Sequence, residues 1–238
     1  MSICDDVLSK KWLDGYARLA KDISSSLPSA QELSIVELGC GSGQLTIPLA
    51  KISGQKIIGV DSSKKDLEKL QSESKNLELD NIDIIRSKAD KTPIEDSSVD
   101  CAISNFFVGW LDRAEFEAIS LKTWKLLKDG GIAMHCDFSP EPLNQAQKIV
   151  VEQGRKENNT NPSVRWWRPE EVSEVMIESG FNECSTSYFD WGVKLGYSLA
   201  VEELRRWDAT TEFISKRETD IQKYGLEFPK SFITRGVK

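Results

Sequence analysis

With 238 residues, 39% hydrophobic and 29% charged, the chain has material for one sizeable core and too little for two full domains. Its 38 acidic residues outnumber 31 basic ones, and the formal charge of -7 argues against a whole-protein positive field for nucleic acid. Five scattered cysteines (Cys4, Cys40, Cys101, Cys136, Cys184) with no C-x-x-C, and a single histidine, give a zinc site no support and fit reduced thiols in the cytoplasm.

The first residues, Met1 to Asp6, have neither a basic n-region nor an apolar h-region, and no run reaches the ~18–20 apolar residues of a membrane span. A soluble, cytoplasmic protein is the expectation. Leu8, Trp12, Tyr16, Leu19 and Ile23 recur at spacings of three and four, predicting an amphipathic helix over 6–24. It either covers an edge of the core or turns Trp12 and Tyr16 toward a ligand. Ser24 to Ser29 breaks it. Strands are predicted at 35–38, 56–60, 81–86, 99–104 and 132–137, with helices at 44–52, 64–76 and 113–127 between them. Strands alternating with helices, several apolar throughout, indicate an α/β fold with a parallel sheet covered on both faces.

After residue 140 the rhythm changes. Leu143, Ala146, Ile149 and Val150 mark a helix, followed by a polar linker from Lys156 to Pro162. Pro169-Glu170-Glu171 opens another helix, its acids suited to the dipole, and Gly180 ends it. Strands follow at 183–189 and 231–235, with mostly helical sequence from Leu199 to Ile221 between them.

The chain is organised around Glu37-Leu38-Gly39-Cys40-Gly41-Ser42-Gly43, where a strand runs into a glycine turn and then a helix. Glycine tolerates positive φ and lets backbone approach a ligand, and the helix start presents free N–H groups. Asp61, at the end of the second strand and 22 residues beyond Gly39, is the residue type that accepts hydrogen bonds from two vicinal ribose hydroxyls. A nucleoside is therefore expected. A dinucleotide and S-adenosylmethionine both satisfy that much.

The glycine run resembles the E/D-x-G-x-G-x-G signature of class I S-adenosylmethionine-dependent methyltransferases. It lacks the G-x-G-x-x-G spacing of nicotinamide enzymes, which would want glycine at Gln44. Pro93 to Asp100 is similar to the family's loop into strand four, and Leu126 to Gly131 to its turn before strand five, with Asp129 where proline is usual. Cys136-Asp137-Phe138-Ser139-Pro140 resembles the methyltransferase type 11 or quinone and sterol C-methyltransferase branch.

The resemblance implies one doubly wound, Rossmann-like domain over 1–238. Its seven-stranded sheet would run 3-2-1-4-5-7-6, the last strand antiparallel, with a helical cover at 1–30 and a helical insertion or lid at 190–228. It implies S-adenosylmethionine as cofactor, S-adenosylhomocysteine as product and no metal. Gly39, Cys40 and Gly41 would approach the methionine part, Glu37 its amino group, Asp61 the ribose and Ser62 the adenine, with Tyr16 and Asn105 close by. Where the family often has G-D-A after strand three, this chain has Ser87-Lys88-Ala89 and then Asp90, so Asp90 or the Ala89 backbone is left to read the base.

Asn105 would face the reactive methyl, and Asn105-Phe106-Phe107 lacks the prolines of the N/D-P-P-Y motif, which counts against nucleic-acid N-methylation. His135 is a candidate general base or a satisfied core histidine. Trp166, Trp167, Tyr188, Phe189, Trp191, Tyr197 and Trp207 gather aromatics in the last third, for an apolar or aromatic small-molecule acceptor, for packing, or for a homodimer interface instead of a monomer. Rivals to a small-molecule methyltransferase are a protein or RNA methyltransferase and a non-catalytic cofactor-binding regulatory subunit.

Overall fold

A computed structural model describes residues 3–28, 32–160 and 165–238, with side chains described from residue 8 and, before the second gap, to residue 155. The strands are β1 (Ser34–Leu38), β2 (Lys56–Asp61), β3 (Ile82–Arg86), β4 (Val99–Asn105), β5 (Leu127–Phe138), β6 (Asn182–Phe189) and β7 (Ser231–Val237). They form one sheet in the order β3-β2-β1-β4-β5-β7-β6. β1 to β5 pair in parallel, and β7 runs antiparallel to both β5 and β6. The expected topology is therefore found.

The helices are α1 (Ile3–Ser26), α2 (Thr46–Ser53), α3 (Lys64–Asn76), α4 (Arg113–Leu126), α5 (Gln145–Thr160), α6 (Pro169–Glu178), α7 (Tyr197–Arg206), α8 (Thr211–Lys216) and α9 (Glu218–Tyr224). Alternate residues of the central strands serve opposite layers. Ile35, Cys101, Ile103 and Met134 pack with Leu19 and Ile23 of α1 and Leu49 of α2, while Val36, Leu38, Ala102 and Ala133 pack with Phe116 of α4 and Val172 and Met176 of α6. Both faces being covered, the strands read as continuous apolar runs.

Local chemistry sets the helix ends. Ser63 accepts the Asp66 N–H to cap α3, and Asp112 with Glu115 forms a reciprocal capping box on α4. Gly54, at φ +64°, closes α2 in the left-handed region.

Four elements differ from the sequence expectation. Helix α5 continues through the polar stretch to Thr160, so 156–160 is no linker; Asn161 and Pro162 lie outside the described residues, as do the side chain of Cys4 and positions 29–31. β5 begins at Leu127, five residues early, because Val99 pairs with Leu127 before a bulge restores the register at Cys101 and Ile132. The helical stretch after β6 is broken into α7, α8 and α9. A two-residue antiparallel pair, Lys194–Leu195 with Leu226–Glu227, ties its ends together.

Candidate active site

The carboxyl ends of β1, β2 and β4 meet at one opening, where α/β sheets bind ligands. Gly39 must be glycine twice over: φ is +74°, and a Cβ there would run into the Phe107 ring. The Gly39 and Cys40 N–H groups both donate to the Val60 carbonyl, at 2.8 and 3.1 Å, which folds the turn over β2. Asp61 fixes the turn from the other side. One carboxylate oxygen accepts the Gly41 N–H at 2.9 Å and the other the Ser63 N–H at 2.8 Å, leaving lone pairs on both oxygens.

Glu37 is buried, and the Thr46 hydroxyl donates to it at 2.5 Å. Burial pushes its pKa up to about 8, with the Thr46 bond opposing and the charge of Asp61 adding to the rise. No lysine or arginine among the described residues pairs with Glu37. Beside it, Asn105 is buried with its side-chain carbonyl oxygen lacking a partner. Burial, assisted by the charges of Glu37 and Cys136 and opposed by Asn105, raises the Tyr16 phenol well above its ordinary range. A buried acid and an orphaned amide oxygen are what a ligand amino group or other donor would satisfy.

Two adjoining cavities lie here. The narrow one, about 290 Å³, is lined by Tyr16, Glu37, Cys40, Gly41 and Asn105 among others. The wider one, about 500 Å³, takes in Asp61, Ser62, Ala89, Asp90, Phe107 and Leu111. Gly39, Asp61 and Phe107 belong to both. All ten residues expected around a cofactor thus line one or the other of two cavities that share walls, the narrow one polar and the wide one largely apolar. Ser62 is exposed at its rim, and Ala89 and Asp90 lie in a single 3-10 turn, Ala89 buried and Asp90 half-buried.

His135 is placed elsewhere. It sits beneath α4 with Phe116 edge-on at 5.1 Å, hydrogen-bonded through Nδ1 to Ser104 at 2.8 Å. Neither cavity includes it. Burial lowers its pKa to about 4, so it stays uncharged at neutral pH. The alternation of β5 explains this: Cys136 faces the α1 layer, and His135 therefore faces α4. The general-base expectation is corrected to a core histidine.

Sequence reasoning missed Thr46, Phe106, Phe107 and Asp137. Only Thr46, in the first turn after the glycine run, carried a readable signal. Phe106 holds φ at +51°, a conformation costing a bulky residue on the order of 1–3 kcal/mol. Its N–H donates to the Cys136 carbonyl at 2.9 Å, which fixes it to β5.

Beyond Phe106 lies an aromatic chamber in two lobes. One, about 510 Å³, has walls of Trp12, Tyr16, Phe138, Trp207 and Phe228. The other, about 290 Å³, is lined by Trp110, Asp137, Phe138, Arg165, Trp166 and Trp207. Phe106 borders both lobes and the narrow cavity.

Residues 35–131 match a family model described as a methyltransferase domain. That stretch holds the glycine turn, Asp61 and Asn105, and it lies within the seven-stranded order described above. This stretch of the chain is therefore similar to a methyltransferase domain. Among relatives, the chain is 22% identical over 192 residues to O-methyltransferase 3 of Dictyostelium discoideum, covering 76% of this chain and 42% of that one. It therefore spans less than half of that relative's length. Demethylmenaquinone methyltransferase of Oceanobacillus iheyensis is 26% identical over 176 residues, 66% of this chain and 73% of that one. Two solved structures have a similar fold. One is geranyl diphosphate C-methyltransferase of Streptomyces coelicolor (TM-score 0.62, 16% identity, 92% of this chain and 75% of that one). The other is the Haloferax volcanii methyltransferase in complex with the Trm112 activator (TM-score 0.67, 18% identity, 98% and 95%).

Proposed function

We infer that the chain transfers a methyl group from S-adenosylmethionine to a small-molecule acceptor. The observation that carries this reading is the pair of adjoining cavities lined from Glu37 past Gly39 and Asp61 to Ala89 and Asp90, with an aromatic chamber behind Phe106. Glu37 and the Asn105 carbonyl oxygen are the groups for a charged amino-acid tail. Asp61, already oriented by two backbone donors, is the group for ribose hydroxyls, and Ala89, Asp90 and Ser62 border the space for adenine.

When bound, S-adenosylmethionine supplies an activated methyl group on a sulfonium sulfur. The chain's part is to bind, align and exclude water, which can supply much of a displacement's rate. Tyr16, shared by the narrow cavity and the chamber, spans the line between donor and acceptor. Helix α1 and the helices within 190–228 serve as the cover of the chamber. No helix among the described residues is long and apolar enough to cross a membrane.

The test is isothermal titration of the purified protein with S-adenosylhomocysteine and, separately, NADH. Micromolar binding of S-adenosylhomocysteine alone supports the reading. Binding of NADH with none of S-adenosylhomocysteine overturns it.

A further inference from the structure

The smaller lobe of the chamber contains a carboxylate with hydrogen-bonding capacity left over. Asp137 is the last residue but one of β5, directly after Cys136, the register partner of Asn105, so it stands next to the strand end that borders the donor cavity. Its Oδ2 accepts the Gly109 N–H and its Oδ1 the Phe138 N–H, both at 2.8 Å. Its two oxygens hold two backbone donors at once, and the group is half-buried with part of its surface on the cavity. Each oxygen keeps a lone pair for one more hydrogen bond.

The surroundings show what could use it. Phe138 and Trp166, both on the lobe, lie near parallel, 6.3 Å between centroids and 19° between planes. Trp207 and Trp110 add two more aromatic faces. Such walls suit a flat apolar body. Among the described residues the cation lining this lobe is Arg165, held over the Trp167 ring at 3.9 Å and paired with Glu171 at 3.0 Å. It is thus engaged away from Asp137. Phe106 and Trp110 line both this lobe and the narrow donor cavity, so a molecule against Asp137 is next to the donor space.

Resting on the donor reading above, we propose that Asp137 is a catalytic residue that accepts the proton of the acceptor, and that the acceptor is a flat aromatic molecule bearing a hydroxyl or amino group. The acceptor's oxygen or nitrogen lone pair forms the new bond to the methyl carbon. The sulfur–carbon bond breaks with its electron pair left on sulfur. The O–H or N–H proton passes to the Asp137 carboxylate and from there to water. Nothing is oxidised or reduced. Burial lifts the Asp137 pKa to about 6, with the Phe138 and Gly109 N–H groups opposing, so the group is mostly ionised at neutral pH and a stronger base than an ordinary aspartate. Among the described residues, the other titratable or charged groups near it include the Cys136 thiol, pushed up by burial and by Asp137 itself, Arg165 with its partner Glu171, and Glu203 in the neighbouring lobe.

The test is binding to the full chain saturated with S-adenosylhomocysteine, using 2-naphthol and its methyl ether 2-methoxynaphthalene as probes. An additional hydrogen bond to a charged acceptor is worth roughly tenfold to a hundredfold in affinity. We expect 2-naphthol to bind at least about tenfold tighter than the ether at pH 7.5. That preference should shrink below about pH 6, as the carboxylate takes a proton. Asp137→Asn should remove the preference and its pH dependence while S-adenosylhomocysteine still binds. Trp166→Ala should weaken both probes alike, which separates loss of a wall from loss of the acid.

Equal binding of the two probes, no naphthol binding at millimolar concentration, or an unchanged preference in Asp137→Asn would each overturn the proposal. Failure of wild-type protein to bind S-adenosylhomocysteine would overturn the donor reading instead, so the two failures are distinct.

Discussion

Asp61 and Trp12 show how differently the donor site and the aromatic chamber are held. Asp61 is fixed by two backbone N–H groups within a turn whose shape depends on glycine. Trp12 is fixed by five rings, Tyr16, Phe106, Phe138, Trp191 and Phe228, at centroid distances from 4.9 to 6.3 Å. Directional bonds to backbone define the first region, and area of contact defines the second. The donor site should therefore be sensitive to single polar atoms and nearly indifferent to loss of ring area in the chamber. The chamber should show the reverse.

The largest effect is expected from Trp12→Ala. Removing a half-buried indole at the centre of five rings should cost about 2–4 kcal/mol in urea unfolding while leaving S-adenosylhomocysteine affinity within about twofold. Collapse of that affinity would show that the two regions are one. Asp61→Ala comes next. It should weaken S-adenosylhomocysteine about 100-fold by calorimetry, since both the ribose acceptor and the clamp on Gly41 are lost. A loss under about threefold would break the distinction from the donor side.

The third effect is a pH dependence. Ligand-free Glu37 keeps its proton up to about pH 8, and a ligand ammonium favours the carboxylate. Binding then releases a proton below that pH, so affinity should rise by up to about tenfold per unit from pH 6 to 8 and flatten above. Glu37→Gln should flatten it throughout. The same shift acts on stability with opposite sense. A carboxyl raised in the folded state makes folding less favourable as pH climbs from its ordinary 4.5 toward about 8.

His135 gives the smallest effect. Its folded pKa is depressed to about 4, so the unfolded chain takes the proton first as pH falls below 6.5. Stability should drop by about 1 kcal/mol between pH 7 and 5.5 on its account, and His135→Gln should remove that slope without altering S-adenosylhomocysteine affinity.

The same contrast explains which features the sequence made legible. The glycine turn and the placing of Glu37 and Asp61 were readable because each depends on residues close in sequence and on backbone rules that hold in any chain, whereas the strand order came only with the family resemblance. Position 135 was ambiguous, because only the register between β4 and β5 decides which face a strand residue takes, and a bulge near Val99 resets it. The chamber was illegible as a site. Trp12, Phe138, Trp166, Trp207 and Phe228 come from segments far apart in the chain, and aromatic clustering in sequence does not say whether rings pack on one another or leave a space. The left-handed Phe106 gave no warning either, since nothing in Asn105-Phe106-Phe107 asks for positive φ.

Four of the seven tryptophans, Trp12, Trp110, Trp166 and Trp207, border the chamber. Much of the intrinsic ultraviolet emission of this molecule therefore originates beside the space left for a guest. Any compound entering it should report its own arrival as a spectral change, so a library can be screened with neither dye nor radiolabel, and whatever the chemistry performed on the guest.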